Sequence, residues 1–98
     1  MKIEKQAAES TLTLAIIGRL DTTTAPELEA ELNACLAPVQ DLIFDLQDLE
    51  YISSAGLRVI LKAQKVMNKK GSMKLVHVND SVMEVFDITG FADILTIE

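Results

Sequence analysis

A chain of 98 residues with 49% hydrophobic content supplies one domain, residues 1–98, with a modest core, and a net charge of −6 excludes the Lys and Arg surplus that binding nucleic-acid phosphates requires. Apolar runs are short, Leu14-Ala15-Ile16-Ile17 being the longest in the second strand candidate, so no membrane insertion is expected. A single cysteine, Cys35, permits no internal disulfide, and Met1-Lys2-Ile3-Glu4-Lys5 alternates charge with apolarity rather than opening an apolar leader, so a cytoplasmic location is expected.

Lys2 to Ala8 and Ser10 to Gly18 read as two strands joined in a hairpin, with Leu12, Leu14 and Ile16 on one face of the second and Thr11, Thr13, Ala15 and Ile17 on the other. Asp21-Thr22-Thr23-Thr24-Ala25-Pro26 then offers cap residues and an early proline, and Leu28, Leu32, Cys35 and Leu36 recur at helical spacing until Pro38. Asp41 to Leu46 is a mostly apolar segment that suits a covered strand. The apolar pattern Leu49-Glu50-Tyr51-Ile52 stops at Ser53-Ser54-Ala55-Gly56, where a second helix begins. Leu57, Ile60, Leu61, Gln64 and Met67 share its inner face, and Gly71 is placed to cap its end. Met73 to Val78 follows as a strand that includes His77. Asp80 or Ser81 opens a third helix with Val82, Val85 and Phe86 inward, Gly90 ends it, and Ile94 to Ile97 is expected to close the sheet. The order ββαβαβαβ predicts an α/β fold, a mixed and mostly parallel sheet of four to five strands with helices packed on it.

Catalytic machinery is hard to assemble from these residues. Gly18, Gly56, Gly71 and Gly90 are too scattered for a phosphate-cradling loop, and His77 has no nucleophile nearby in sequence. Cys35 lies on an apolar helix stripe with no basic neighbour in sequence, the setting of a buried packing cysteine. Asp45, Asp48 and Glu50 crowd a strand end, and a metal-assisted phosphohydrolase would recruit Asp21, Asp45 and Asp48. The chain offers no base and no second carboxylate cluster for that chemistry, so these acids read as solvated loop charges. The expectation is a protein that is not an enzyme, with no catalytic residues, metal or cofactor.

A serine at the start of a helix serves either as its cap or as a phosphate acceptor beside free backbone N–H groups. Arg58, Lys62, Lys65 and Lys69 follow Ser54 at spacings of four, four, three and four, a basic stripe whose sign complements a phosphate. Helical side chains lean towards the N-terminus, so Arg58 can reach back towards Ser54. The alternative reading makes Ser53 or Ser54 an ordinary cap and the lysines the wet face of an amphipathic helix.

Gly18-Arg19-Leu20-Asp21 before the first helix, Ile52-Ser53-Ser54-Ala55-Gly56-Leu57 before the second, and the late Gly90-Phe91 together resemble the STAS domain family over essentially the whole chain, in particular the stand-alone bacterial anti-sigma factor antagonists. The family's second motif is aspartate, serine, serine or threonine, glycine, leucine, with the first serine phosphorylated. That resemblance puts the phosphoacceptor at Ser54, with Ser53 in the aspartate position and Ala55 in place of the second hydroxyl. It places Asp21, Thr22, Thr23, Ser53, Ala55, Gly56, Leu57 and Arg58 around a partner-binding surface. It implies partner switching: the unphosphorylated domain binds an anti-sigma factor serine kinase and releases a sigma factor, phosphorylation ends binding, and a PP2C-type phosphatase resets the cycle. A STAS scaffold or sensor subunit of another signalling or transport-regulating complex is the alternative.

Overall fold

In the computed structural model, which describes residues 1–98, the first two strands form the expected hairpin. Strand β1 (Lys2–Ala8) pairs antiparallel with β2 (Thr11–Leu20), which extends two residues past Gly18. Gly18 has φ of 97°, a backbone state that glycine adopts without the Cβ clash other residues suffer. Helix α1 (Ala25–Cys35) has Pro26 in its first turn and carries no basic residue in its last. Its end is served from elsewhere: the Lys70 ammonium donates to the carbonyls of Leu36 and Ala37, just past the last turn.

Strand β3 (Asp41–Asp45) runs parallel to the first half of β2, Thr11–Ala15. A tight turn follows, in which the Gln47 N–H donates to Asp45 Oδ1 at 3.1 Å and the Leu49 N–H to the Leu46 carbonyl at 3.2 Å. Strand β4 (Leu49–Ile52) then pairs parallel with Gly18–Leu20 of β2, with a register shift between Gly18 and Arg19. Helix α2 (Ser54–Asn68), strand β5 (Ser72–Val76) parallel to β3, helix α3 (Asp80–Thr89) and a 3-10 turn at Phe91–Asp93 complete the chain. The sheet has five strands in the order β1-β2-β3-β5, with β4 beside β2.

This is the mixed, mostly parallel α/β sheet expected, but the element order differs in two places. Leu49–Ile52 is a strand in its own right, split from β3 by the turn at Gln47 and Asp48. The expected closing strand at Ile94–Ile97 is reduced to one bridge, Leu75 with Ile97, because Phe91–Asp93 coil and Leu95 turns into the core. No helix is long and apolar enough to cross a membrane.

The core lies on one face of the sheet. Leu12, Leu14 and Ile16 of β2, Leu42 and Phe44 of β3 and Met73 and Leu75 of β5 are buried there in one cluster with Leu28 and Leu32 of α1 and Val59, Ile60, Ala63 and Met67 of α2. The alternate residues Thr13, Ala15 and Ile43 are only half-buried. Period-two burial in the strands therefore meets period-3.6 burial in the helices, and truncating any of these large side chains to alanine costs about 2–5 kcal/mol.

Four local expectations are corrected. Gly71 is not a left-handed helix cap; α2 ends at Asn68 with Lys69 as its cap, and a Cβ on Gly71 would sit 1.8 Å from the Gln40 carbonyl oxygen, so the glycine allows two backbones to touch. Asn79, not Asp80 or Ser81, caps α3, accepting the Val82 N–H at 2.9 Å while its amide donates to the Leu49 carbonyl at 2.6 Å. His77 falls just beyond β5 with φ of 57°, and its Nδ1 lies 3.1 Å from Asp45 Oδ1. Cys35 is half-buried rather than buried, with Lys5 Nζ 3.8 Å and Glu31 Oε1 3.4 Å from its sulfur. The basic neighbour comes from β1, thirty positions away in sequence.

Candidate functional site

β2 and β4 are parallel and finish together, Leu20 opposite Ile52, and the Ser53 N–H donates to the Leu20 carbonyl at 2.9 Å. Both chains leave the sheet side by side at the carboxyl ends of parallel strands, where loops of such folds commonly form binding surfaces. One leads into α1 through Asp21–Thr24, the other into α2 through Ser53.

The α1 entry is a closed hydrogen-bonded turn. Asp21 Oδ1 accepts the N–H groups of Thr23 at 3.0 Å and Thr24 at 3.1 Å, and the Thr24 hydroxyl oxygen accepts the Asp21 N–H at 2.8 Å. That hydroxyl also lies 2.8 Å from the Arg19 carbonyl, to which it donates. The N–H donated by Thr24 is the main reason the Asp21 carboxyl is held below its ordinary value of 3.8. The neighbouring Arg19 guanidinium, 3.8 Å away, adds to the effect and stacks over the Tyr51 ring at 4.3 Å.

At the α2 entry the two serines divide the work. Ser53 is extended, with φ of −97° and ψ of 175°, and its hydroxyl oxygen accepts the Gly56 N–H at 3.4 Å, so Ser53 is the cap. Ser54 is the first helical residue, exposed, and its hydroxyl has no protein partner. Gly56 lets this end of α2 lie against the strand ends: a Cβ there would come within 2.7 Å of Leu20 Cγ and 3.0 Å of Ile52 Cγ1.

Thr22, Thr23, Ser54 and Arg58 are exposed and Ala55 is half-exposed, so they share an accessible rim. Gly56 and Leu57, the latter 5% exposed, are buried and shape the rim from beneath. A groove between the helix starts is lined by Thr22, Pro26, Glu29, Ala55, Arg58 and Lys62. All four cations of the α2 stripe are exposed, and Lys62 pairs with Glu29 at 2.8 Å across the groove. Arg19, Tyr51 and Glu29 belong to this end of the molecule but escape a reading of local sequence. Tyr51, the chain's one tyrosine, stands two residues before Ser53, and Arg19 two before Asp21, but their stacking requires the pairing of β2 with β4, and Glu29 is brought in by helix packing. Asp21, Asp45 and Asp48 do not converge, and no three His, Cys, Asp or Glu side chains are grouped to hold a metal ion.

A family model described as the STAS domain matches residues 2–98. The anti-sigma-B factor antagonist of Bacillus subtilis is 32% identical over 98 residues, covering 99% of this chain and 90% of that protein. Among solved structures, an anti-sigma factor antagonist from Mycobacterium paratuberculosis superposes with a TM-score of 0.88 at 21% identity, over 98% of this chain and 83% of its own. The Bacillus cell fate determinant SpoIIAA in its phosphorylated form does so with a TM-score of 0.78 at 16% identity, over 99% and 91%. At those identities the two structures show the fold alone.

Proposed function

The chain belongs to the STAS domain family, and from that premise we propose that it is an anti-sigma factor antagonist that works by partner switching in the cytoplasm, with Ser54 as its phosphorylated residue. Unphosphorylated, the domain offers the rim of Thr22, Thr23, Ser54, Ala55 and Arg58 to an anti-sigma factor that is also a serine kinase, and a sigma factor is released. The kinase moves the γ-phosphoryl group of its ATP to Ser54 Oγ, whose proton departs, and ADP remains with the kinase. A PP2C-type phosphatase later hydrolyses the phosphate ester. Relatives named as antagonists support the regulatory role.

One observation carries the choice of residue: Ser53 does the capping and leaves the Ser54 hydroxyl exposed and unpartnered. A phosphate on Ser54 adds about −1.5 to −2 charge beside a helix N-terminus, where anions are tolerated, so the domain stays folded while its rim changes sign. The test mixes the protein with its cognate kinase, ATP and Mg²⁺ and reads intact mass and site. One phosphate on Ser54, abolished in Ser54→Ala, is expected; a phosphate on any other residue overturns the assignment. Ser54→Asp is expected to weaken kinase capture and keep a native circular dichroism spectrum, whereas a collapsed spectrum would make Ser54 a structural residue.

A further inference from the structure

The cations around the two helix starts are not equally available. Arg19 is committed to the Tyr51 ring at 4.3 Å and faces Asp21 at 3.8 Å, and Lys62 is held by Glu29 at 2.8 Å. Arg58 is exposed, has no acidic partner, and lines the groove with Thr22 and Ala55. It stands four residues after Ser54, on the same side of α2, and helical side chains lean towards the N-terminus.

Four backbone donors at this end are already used, while the Ser54 and Ala55 N–H groups in the first turn of α2 have no partner. Asp21 takes the N–H groups of Thr23 and Thr24, Ser53 Oγ takes that of Gly56, and the Ser53 carbonyl takes that of Leu57 at 2.9 Å. A phosphate on Ser54 therefore finds the first-turn N–H groups and, among the side-chain cations, one free guanidinium. That group can meet two phosphate oxygens at once with parallel N–H bonds.

We propose that Arg58 receives the phosphate on Ser54 and folds it into the groove between the starts of α1 and α2; this rests on the reading of Ser54 as acceptor and adds how the domain itself handles the group. The phosphate then covers the groove wall formed by Thr22 and Ala55. Phosphorylation ends docking by occlusion as well as by repulsion, and Arg58 changes from a contact offered to the partner into an internal counter-ion.

The experiment uses the full chain with phosphoserine installed at position 54 by genetic encoding, so no kinase is required. The ³¹P signal is titrated with pH in the otherwise unaltered protein, in Arg58→Gln and in Arg58→Lys. A cation at the phosphate favours the dianion, so the midpoint near 6 is expected to be lower with Arg58 than with Gln by about half a unit or more, and Lys to recover part of the difference. The Arg58 Nε–H resonance of the unmutated chain is expected to move when the phosphate is present. Equal midpoints, or an unmoved Arg58 signal, overturn the proposal. A kinase that modifies a residue other than Ser54 would instead overturn the acceptor reading, and the two failures are read in separate experiments.

Discussion

Ser53 and Ser54 are chemically identical neighbours whose roles diverge because the helix begins between them. Ser53 has extended backbone and spends its oxygen on the Gly56 N–H; Ser54 has helical backbone and spends nothing. Ser53→Ala is expected to destabilise the fold by about 1 kcal/mol in urea denaturation, the usual cost of a lost cap, and Ser54→Ala by less than about 0.5 kcal/mol. Asp21 carries a prediction of a different kind. Its carboxyl is held low chiefly by the Thr24 N–H, so the ionised form is favoured in the folded state. The stability it contributes is present above the unfolded value near 3.8 and is lost as pH falls through the lower folded value. A stability–pH profile of Asp21→Asn should therefore lie below that of the parent at neutral pH and approach it as the medium becomes more acidic. These residue roles were partly legible beforehand: a serine-rich helix start was visible in the sequence, but which serine caps depends on one residue of backbone geometry.

The elements were easier to read where local pattern decides them. Alternation in β2 marks its buried face, and the recurrence of Leu28 and Leu32 marks α1, since both periods survive in the folded burial. What escaped was set by contacts distant in sequence. Leu49–Ile52 becomes a separate strand because it finds Gly18–Leu20 as a partner, and Gly71 is required by Gln40 rather than by its own helix. The two helix-associated glycines are expected to differ when changed to alanine. At position 56 the new methyl meets the Leu20 and Ile52 side chains and, at 3.0 Å, the Leu20 carbonyl oxygen, and a loss of about 1–3 kcal/mol is expected from overpacking. At position 71 it would meet a backbone carbonyl at 1.8 Å, so the chain must shift and the loss should be the larger of the two. Paired thermal melts of Gly56→Ala and Gly71→Ala test that order.

At the scale of the whole molecule, the core lies on one face of the sheet and the candidate surface at the carboxyl ends of its parallel strands, so the surface can change charge without disturbing the packing that holds the fold. The α/β class and mostly parallel sheet followed from the alternation of strands and helices, while the position of β4 required the three-dimensional pairing. That pairing has a kinetic meaning. β3 and β4 lie in succession along one edge of β2, separated by the turn at Gln47 and Asp48, so the segment leading to Ser54 is fastened to the sheet by a short ladder that begins afresh after an interruption. A short ladder opens more readily than a continuous one. Amide hydrogens from Tyr51 to Ser53 should therefore exchange with deuterium faster than those of Leu42 to Phe44, through an opening that leaves the centre of the sheet closed. Faster exchange there would make the broken strand a hinge line, along which the serine-bearing end of the domain loosens and re-forms on its own clock.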